Sequence, residues 1–163
     1  MSEEEQARLT ALRKPVFIKQ IVANACGTMA LLHALLNVTG VCGGSFPDGT
    51  FLHRLSDLAN EGKTPEELGQ FLNADEELDT VHNLFALRGQ SNMDSNTRFH
   101  FVAYVNLEGT IWELDGRGSA PLLKGSCSDG DFGIKIAQLL QRYTQMDSTT
   151  QFSLMALAPN QGD

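Results

Sequence analysis

Cysteine is scarce in this chain, with three residues among 163 and no close pair of them. So few thiols build neither a disulfide framework nor a zinc module, and the expectation is an intracellular, cytoplasmic protein with reduced thiols. Basic residues are few as well: twelve Lys and Arg against twenty Asp and Glu, for a net charge of −8. Nucleic acid and anionic membranes both need a basic footprint, so neither is expected as a partner, whereas a basic ligand suits the charge. No apolar run reaches the roughly 18 residues of a membrane span. The acidic start, Met1-Ser2-Glu3-Glu4-Glu5, lacks the basic and apolar regions of a signal peptide. Glycine-rich phosphate-binding patterns of the types G-x-x-x-x-G-K-S/T and G-x-G-x-x-G are missing, so no nucleotide cofactor is expected. His53 and His82 have no companions at metal-ligand spacing, and no metal is expected either. Repeats and low-complexity tracts are absent.

What is present is an ordinary globular composition, 42% hydrophobic and 20% charged, at a length that fits one domain over residues 1–163. Residues 1–14 are polar and read as a frayed helix or a disordered lead. Pro15 to Val22 reads as a short extended segment. Ala25 to Asn37 is rich in Ala and Leu and apolar on nearly every side, which predicts a buried helix with Asn24 as its N-cap. Phe51, Leu52, Leu55, Leu58 and Ala59 have helical spacing, with Gly62 as the stop. Thr64-Pro65-Glu66-Glu67 combines a capping box with a proline at the first helical position, starting a helix that carries Leu68, Phe71 and Leu72. Periodicity vanishes over 79–98, a polar loop of a length that is often functional. Phe99 to Val105 and Thr110 to Leu114 read as strands joined by a Glu108-Gly109 turn. Asp131 to Tyr143 returns to helical spacing through Ile134, Ala137, Leu140 and Tyr143, and Phe152 to Ala158 reads as a last strand. Helices first and strands afterwards predict an α+β fold with an antiparallel sheet flanked by helices.

Cys26 has the best local context for chemistry. A cysteine in the first turn of a helix meets the positive end of the dipole and unpaired N–H groups, an environment that favours thiolate. On that context alone, a small buried hydrophobe is an equally good reading. A thiolate nucleophile works best with a base, and the base with an orienting group. If Glu108-Gly109 is a two-residue turn, Asp115 faces Val102, and His100 and Asp115 become diagonal neighbours on one sheet face. A three-residue turn would put them on opposite faces. Gln20, six residues before Cys26, carries an amide that can serve an oxyanion together with the Cys26 N–H. His33, within the apolar helix, reads as structural, and Cys42 and Cys127 as incidental.

The run Lys19-Gln20-Ile21-Val22-Ala23-Asn24-Ala25-Cys26-Gly27-Thr28 resembles the active-site signature of the ubiquitin carboxyl-terminal hydrolases, which are papain-like cysteine proteases. The likeness continues through Ala30-Leu31-Leu32-His33-Ala34, His100-Phe101-Val102-Ala103 and Glu113-Leu114-Asp115-Gly116-Arg117. The order and separations of Gln20, Cys26, His100 and Asp115 agree with the family too, and the likeness runs from Val16 to the C-terminus. The resemblance implies Cys26 as nucleophile, His100 as general base and acid, Asp115 as its orienter and Gln20 as oxyanion donor. It implies that 79–98 is a crossover-type loop limiting what can follow the scissile bond. It also implies a monomer that binds ubiquitin or a ubiquitin-like modifier and hydrolyses small adducts or peptides from the modifier's C-terminal glycine. Two departures stand out. Ile21 replaces the usual Thr or Ser, and only nineteen residues precede Gln20, so the domain is expected to be incomplete and to lack N-terminal strands of the sheet. That shortness favours one alternative, a non-catalytic ubiquitin-binding or regulatory fragment. A papain-like acyltransferase or hydrolase acting on another acyl donor is a weaker one.

Overall fold

The computed structural model describes residues 12–23, 25–38, 45–76, 78, 80, 100–128, 130–146 and 153–157. Its elements are α1 (Cys26–Asn37), α2 (Phe51–Asn60), α3 (Pro65–Ala74), β1 (Ala103–Leu107), β2 (Thr110–Leu114), β3 (Leu122–Ser126) and α4 (Phe132–Met146). The strands form one antiparallel sheet in the order β1-β2-β3, so the class is α+β, as the order of elements predicts. The 79–98 segment, apart from residue 80, lies outside the described residues, as do Cys42 and His82. Among the described residues no helix is long and apolar enough to cross a membrane.

Local chemistry sets three of the helix ends. Thr50 caps α2 by accepting the His53 N–H at 3.2 Å, and Gly62, at φ +82°, ends it. The capping box before α3 forms as expected. Thr64 Oγ1 accepts from the Glu67 N–H at 3.2 Å, while the Glu67 carboxylate accepts from the Thr64 N–H at 2.8 Å. The start of α1 has no such device. Ala25, a poor capping type, occupies the N-cap position expected of Asn24, which lies outside the described residues. Tertiary contacts must therefore hold that end.

Glu108 and Gly109 both have positive φ, +51° and +78°, as a two-residue type I′ hairpin turn requires. Asn106 Oδ1 supports the turn by accepting the Gly109 N–H at 3.0 Å. Ala103 consequently pairs with Leu114 and Leu107 with Thr110, which is the register expected from the sequence. β1 begins later than predicted because its partner strand ends at Leu114. Residues 100–102 run on without a ladder.

Three details depart from the sequence pattern. Ser153 to Leu157 forms no strand, and Met155 there is 83% exposed; alternating polarity makes a strand only where a ladder partner is present. In α4 the residue buried is Ile136, while Ile134 and Tyr143 are exposed, so the spacing identifies the helix but not its inner face. Helix α1 is not buried all round: Cys26, Met29, Leu32, His33 and Asn37 are inside, and Leu31 is outside.

The core has two halves. Ile18, Met29, Leu32, Leu55, Leu68 and Leu72 pack among the helices, and Phe17, Val105, Trp112 and Leu114 pack under the sheet. Neighbours Phe17 and Ile18 belong to different halves because an extended chain points successive side chains to opposite sides. This segment lacks a ladder, so α1 side chains satisfy its backbone. Asn37 accepts from the Val16 N–H at 2.7 Å and donates to the Val16 carbonyl at 2.8 Å. His33 Nε2 accepts from the Ile18 N–H at 3.0 Å, and its ring stacks on Phe17 with centroids 5.2 Å apart. The segment leading into Gln20 is thereby fixed to the helix that starts at Cys26.

Candidate active site

The hairpin register carries His100 and Asp115 together. Asp115 lies one residue past β2, His100 three before β1, and His100 Nε2 stands 2.8 Å from Asp115 Oδ1. The same carboxylate oxygen accepts the Arg117 N–H at 2.9 Å, and the Gly118 N–H bonds the Asp115 carbonyl at 2.8 Å, closing a tight turn. Partial burial works to raise the Asp115 pKa. The hydrogen bonds from His100 and the Arg117 N–H, with the charges of both residues, outweigh it and hold the carboxyl below its ordinary range. The lowered pKa favours the carboxylate form of Asp115, and the contact engages His100 at Nε2 rather than Nδ1.

Cys26 is the first residue of α1 and is buried. The first helical bond runs from Met29 N to Ala25 O, so the N–H groups of Cys26 and Gly27 precede the helical ladder. Gly27 is exposed, and a Cβ built on it would stand 3.8 Å from the Phe101 ring. The residue after the histidine thus lies beside the residue after the cysteine. Gln20 comes in from a third direction. Its backbone N–H bonds the Gly116 carbonyl at 2.8 Å, next to Asp115, and a Cβ on Gly116 would come within 3.0 Å of Gln20 Cβ. Its side-chain Nε2 donates to the Val22 carbonyl at 2.8 Å, and its Oε1 is buried and accepts from none of the described residues.

Two residues around this set had no role, or only a generic one, in the sequence reading. Lys19 Nζ donates to the carbonyls of Arg117 and Gly118, the turn that holds Asp115. A lone lysine in an extended run gives no signal for such a contact, which joins residues nearly a hundred positions apart. His33, expected to be structural, is fully buried. Burial pushes its pKa from 6.5 down to about 4, while the carbonyls of Ile18 and Leu114 and the charge of Asp115 act the other way. His53 stands apart from the site, its ring nitrogens 3.5 Å from Asp48 and 3.6 Å from Asp57. Among the described residues no group of three His, Cys, Asp or Glu side chains is arranged to hold a metal.

A cysteine opening a helix, with a histidine–aspartate pair on a facing hairpin, is a layout suited to thiol-dependent hydrolysis. The family model described as ubiquitin carboxyl-terminal hydrolase, family 1, matches residues 1–145. Ubiquitin carboxyl-terminal hydrolase isozyme L1 of Macaca fascicularis is 33% identical over 146 residues, covering 88% of this chain and 64% of the relative. A ubiquitin carboxyl-terminal hydrolase of Drosophila melanogaster is 34% identical over 150 residues, covering 89% and 63%. The Trichinella spiralis UCH37 catalytic domain, solved bound to ubiquitin vinyl methyl ester, is similar with a TM-score of 0.66 and 29% identity, over 85% of this chain and 60% of that one. The chain belongs to the ubiquitin carboxyl-terminal hydrolase family 1 and has the papain-like fold of its catalytic domains. It spans a little under two thirds of the length of the curated relatives it matches.

Proposed function

We propose that the chain is a single catalytic domain and a cytoplasmic, monomeric thiol hydrolase. On this reading it cleaves esters, thioesters or amides at the C-terminal glycine of ubiquitin or a ubiquitin-like modifier. The observation that carries the reading is the 2.8 Å His100–Asp115 pair on a hairpin whose Phe101 lies against the first turn that presents Cys26. Cys26 Sγ attacks the glycine carbonyl carbon, and its proton passes to His100 Nδ1. The carbonyl π electrons move to oxygen, where the Cys26 N–H and the Gln20 amide are the available donors. Collapse expels the leaving group, which takes the proton from His100 and leaves a thioester on Cys26. Water, deprotonated by His100, then adds to the thioester and releases the carboxylate product and the thiol. A net charge of −8 suits a modifier whose tail is basic.

One observation favours a second reading, a ubiquitin-binding protein without turnover: Gln20 Nε2 is bonded to Val22 O, so its oxyanion role requires that contact to be released or shared. A ubiquitin C-terminal fluorogenic amide separates the two. The first reading predicts turnover that Cys26→Ala reduces to background while ubiquitin binding persists. Binding without turnover in the unsubstituted chain would establish the second.

A further inference from the structure

Building on that reading, we propose that Lys19 is a positioning residue: its ammonium clamps the turn that presents Asp115 to His100, and its backbone carries the same constraint to Gln20 and to α3. The Nζ atom donates to Arg117 O at 2.8 Å and to Gly118 O at 2.7 Å. Those carbonyls belong to the two residues whose N–H groups bond Asp115, one to its side chain at 2.9 Å and the other to its carbonyl at 2.8 Å. The ammonium therefore bonds the same two residues whose N–H groups close the turn on Asp115. The Arg117 carbonyl shares its peptide plane with the Gly118 N–H, so the ammonium fixes the N–H that closes the turn on the Asp115 carbonyl, while the Gln20 N–H on the Gly116 carbonyl fixes the plane that carries the Arg117 N–H to the carboxylate.

The backbone of Lys19 is equally constrained. Its N–H bonds the Pro65 carbonyl in the first turn of α3 at 2.9 Å. One turn later in that helix is Gly69, where any Cβ would collide with the Lys19 carbonyl oxygen and press on the Ile21 side chain. Only a glycine lets the helix approach this closely. The next residue along the extended segment, Gln20, bonds Gly116 through its N–H at 2.8 Å. Lys19 thus joins α3, the glutamine segment and the aspartate turn, three pieces from distant parts of the chain. The side chain is only half-buried, so water replaces much of the stability lost on its removal. What water cannot replace is the fixed geometry.

The titratable and charged groups facing Asp115 are His100 from the lead into β1, Arg117 from its own turn and the buried His33 from α1. Lys19→Met leaves all three in place and keeps the length of the apolar stem. In Lys19→Met, kcat should fall about tenfold or more with KM nearly unchanged, as expected when a group acts through the catalytic histidine. The Asp115 carboxyl, followed by carbon-13 NMR without substrate, should titrate closer to its ordinary value because the turn that presents the Arg117 N–H to it is no longer clamped at the Arg117 and Gly118 carbonyls. Lys19→Arg, whose fork can span both carbonyls, should restore most of kcat and the low titration. Lys19→Gln, with a neutral donor, should be intermediate, and carries the test if the methionine variant does not fold. An unmoved Asp115 titration with kcat within about twofold of the parent would overturn the proposal. So would a uniform loss of melting temperature that arginine does not rescue. The carboxyl titration needs no turnover. Failure of the thiol-hydrolase reading, seen as activity surviving Cys26→Ala, is therefore distinguishable from failure of the Lys19 assignment.

Discussion

Two histidines in this molecule have opposite environments, and each makes its own pH prediction. His100 is partly exposed and stands 2.8 Å from an aspartate, while His33 is fully buried with Nε2 accepting from a backbone N–H. His33 has a folded pKa of about 4 against 6.5 unfolded, so the unfolded chain binds a proton first as pH falls. The stability it supports is complete above 6.5 and drains away between 6.5 and 4, by a total on the order of 3 kcal/mol. A melting temperature that is level near neutrality and declines through that window is expected, and His33→Gln should flatten the decline. An equally steep slope in His33→Gln would assign it elsewhere. Asp115 is also depressed, so its contribution is present above the ordinary carboxylate range and lost only below it, a more acidic window. For activity, His100→Ala should be more damaging than Asp115→Ala, and the double variant should lose little beyond His100→Ala, because the aspartate acts through the ring. Asp115→Asn should be intermediate. Additive losses, measured as kcat/KM on a ubiquitin C-terminal amide, would mean that the two side chains act separately.

At the scale of elements, the hairpin turn governs whether the site exists. Gly109 takes φ +78°, and a Cβ there would come 3.2 Å from the Cys127 carbonyl, so Gly109→Ala meets both backbone strain and crowding. A loss of about 1–2 kcal/mol is expected from thermal or urea unfolding. A one-residue slip in register would turn His100 and Asp115 to opposite faces, so any variant that lengthens the turn by one residue should lose activity far more than stability. Retained kcat after such an insertion would break the link between register and site. This hairpin was legible in the sequence because turn chemistry is local: Glu-Gly at the bend and alternation on both sides fix the pairing. The capping box at Thr64 and Glu67 was legible for the same reason. β3 was not, since Leu122-Leu123 is bounded by Pro121 and Lys124-Gly125 and most of its side chains are exposed, leaving no polarity pattern to read. Ser153 to Leu157 shows the converse: its pattern suits a strand, but no ladder partner meets it. Ala/Leu content makes the span of α1 legible to within a residue, whereas its start offers no cap to read, because no side-chain hydrogen bond closes it.

At the scale of the whole molecule, the candidate site straddles two half-cores. Cys26 opens α1, whose Met29 and Leu32 pack in the helical half, while the His100–Asp115 pair flanks the β1–β2 hairpin of the sheet half, and Phe17 and Ile18 of the 16–20 segment contribute to one half each. Asn37, His33 and Lys19 fasten that segment to α1 and to the aspartate turn, all through bonds to backbone atoms. Long-range contacts of this kind leave no trace in sequence periodicity. The pairing of His100 with Asp115 was legible from the hairpin register, but the Asn37, His33 and Lys19 contacts that hold the 16–20 segment were not. The net charge adds a molecule-wide prediction: attraction to a basic modifier tail should weaken with salt, raising KM more than it lowers kcat as ionic strength increases. An unchanged KM would remove electrostatic attraction from the account. The central claim, that Cys26 is the nucleophile for a ubiquitin C-terminus, is tested most directly by reaction with ubiquitin vinyl methyl ester followed by peptide mapping. The account predicts a single adduct on Cys26, sharply reduced in His100→Ala and absent in Cys26→Ala. An adduct on Cys42 or Cys127, or none on the folded chain, would contradict it.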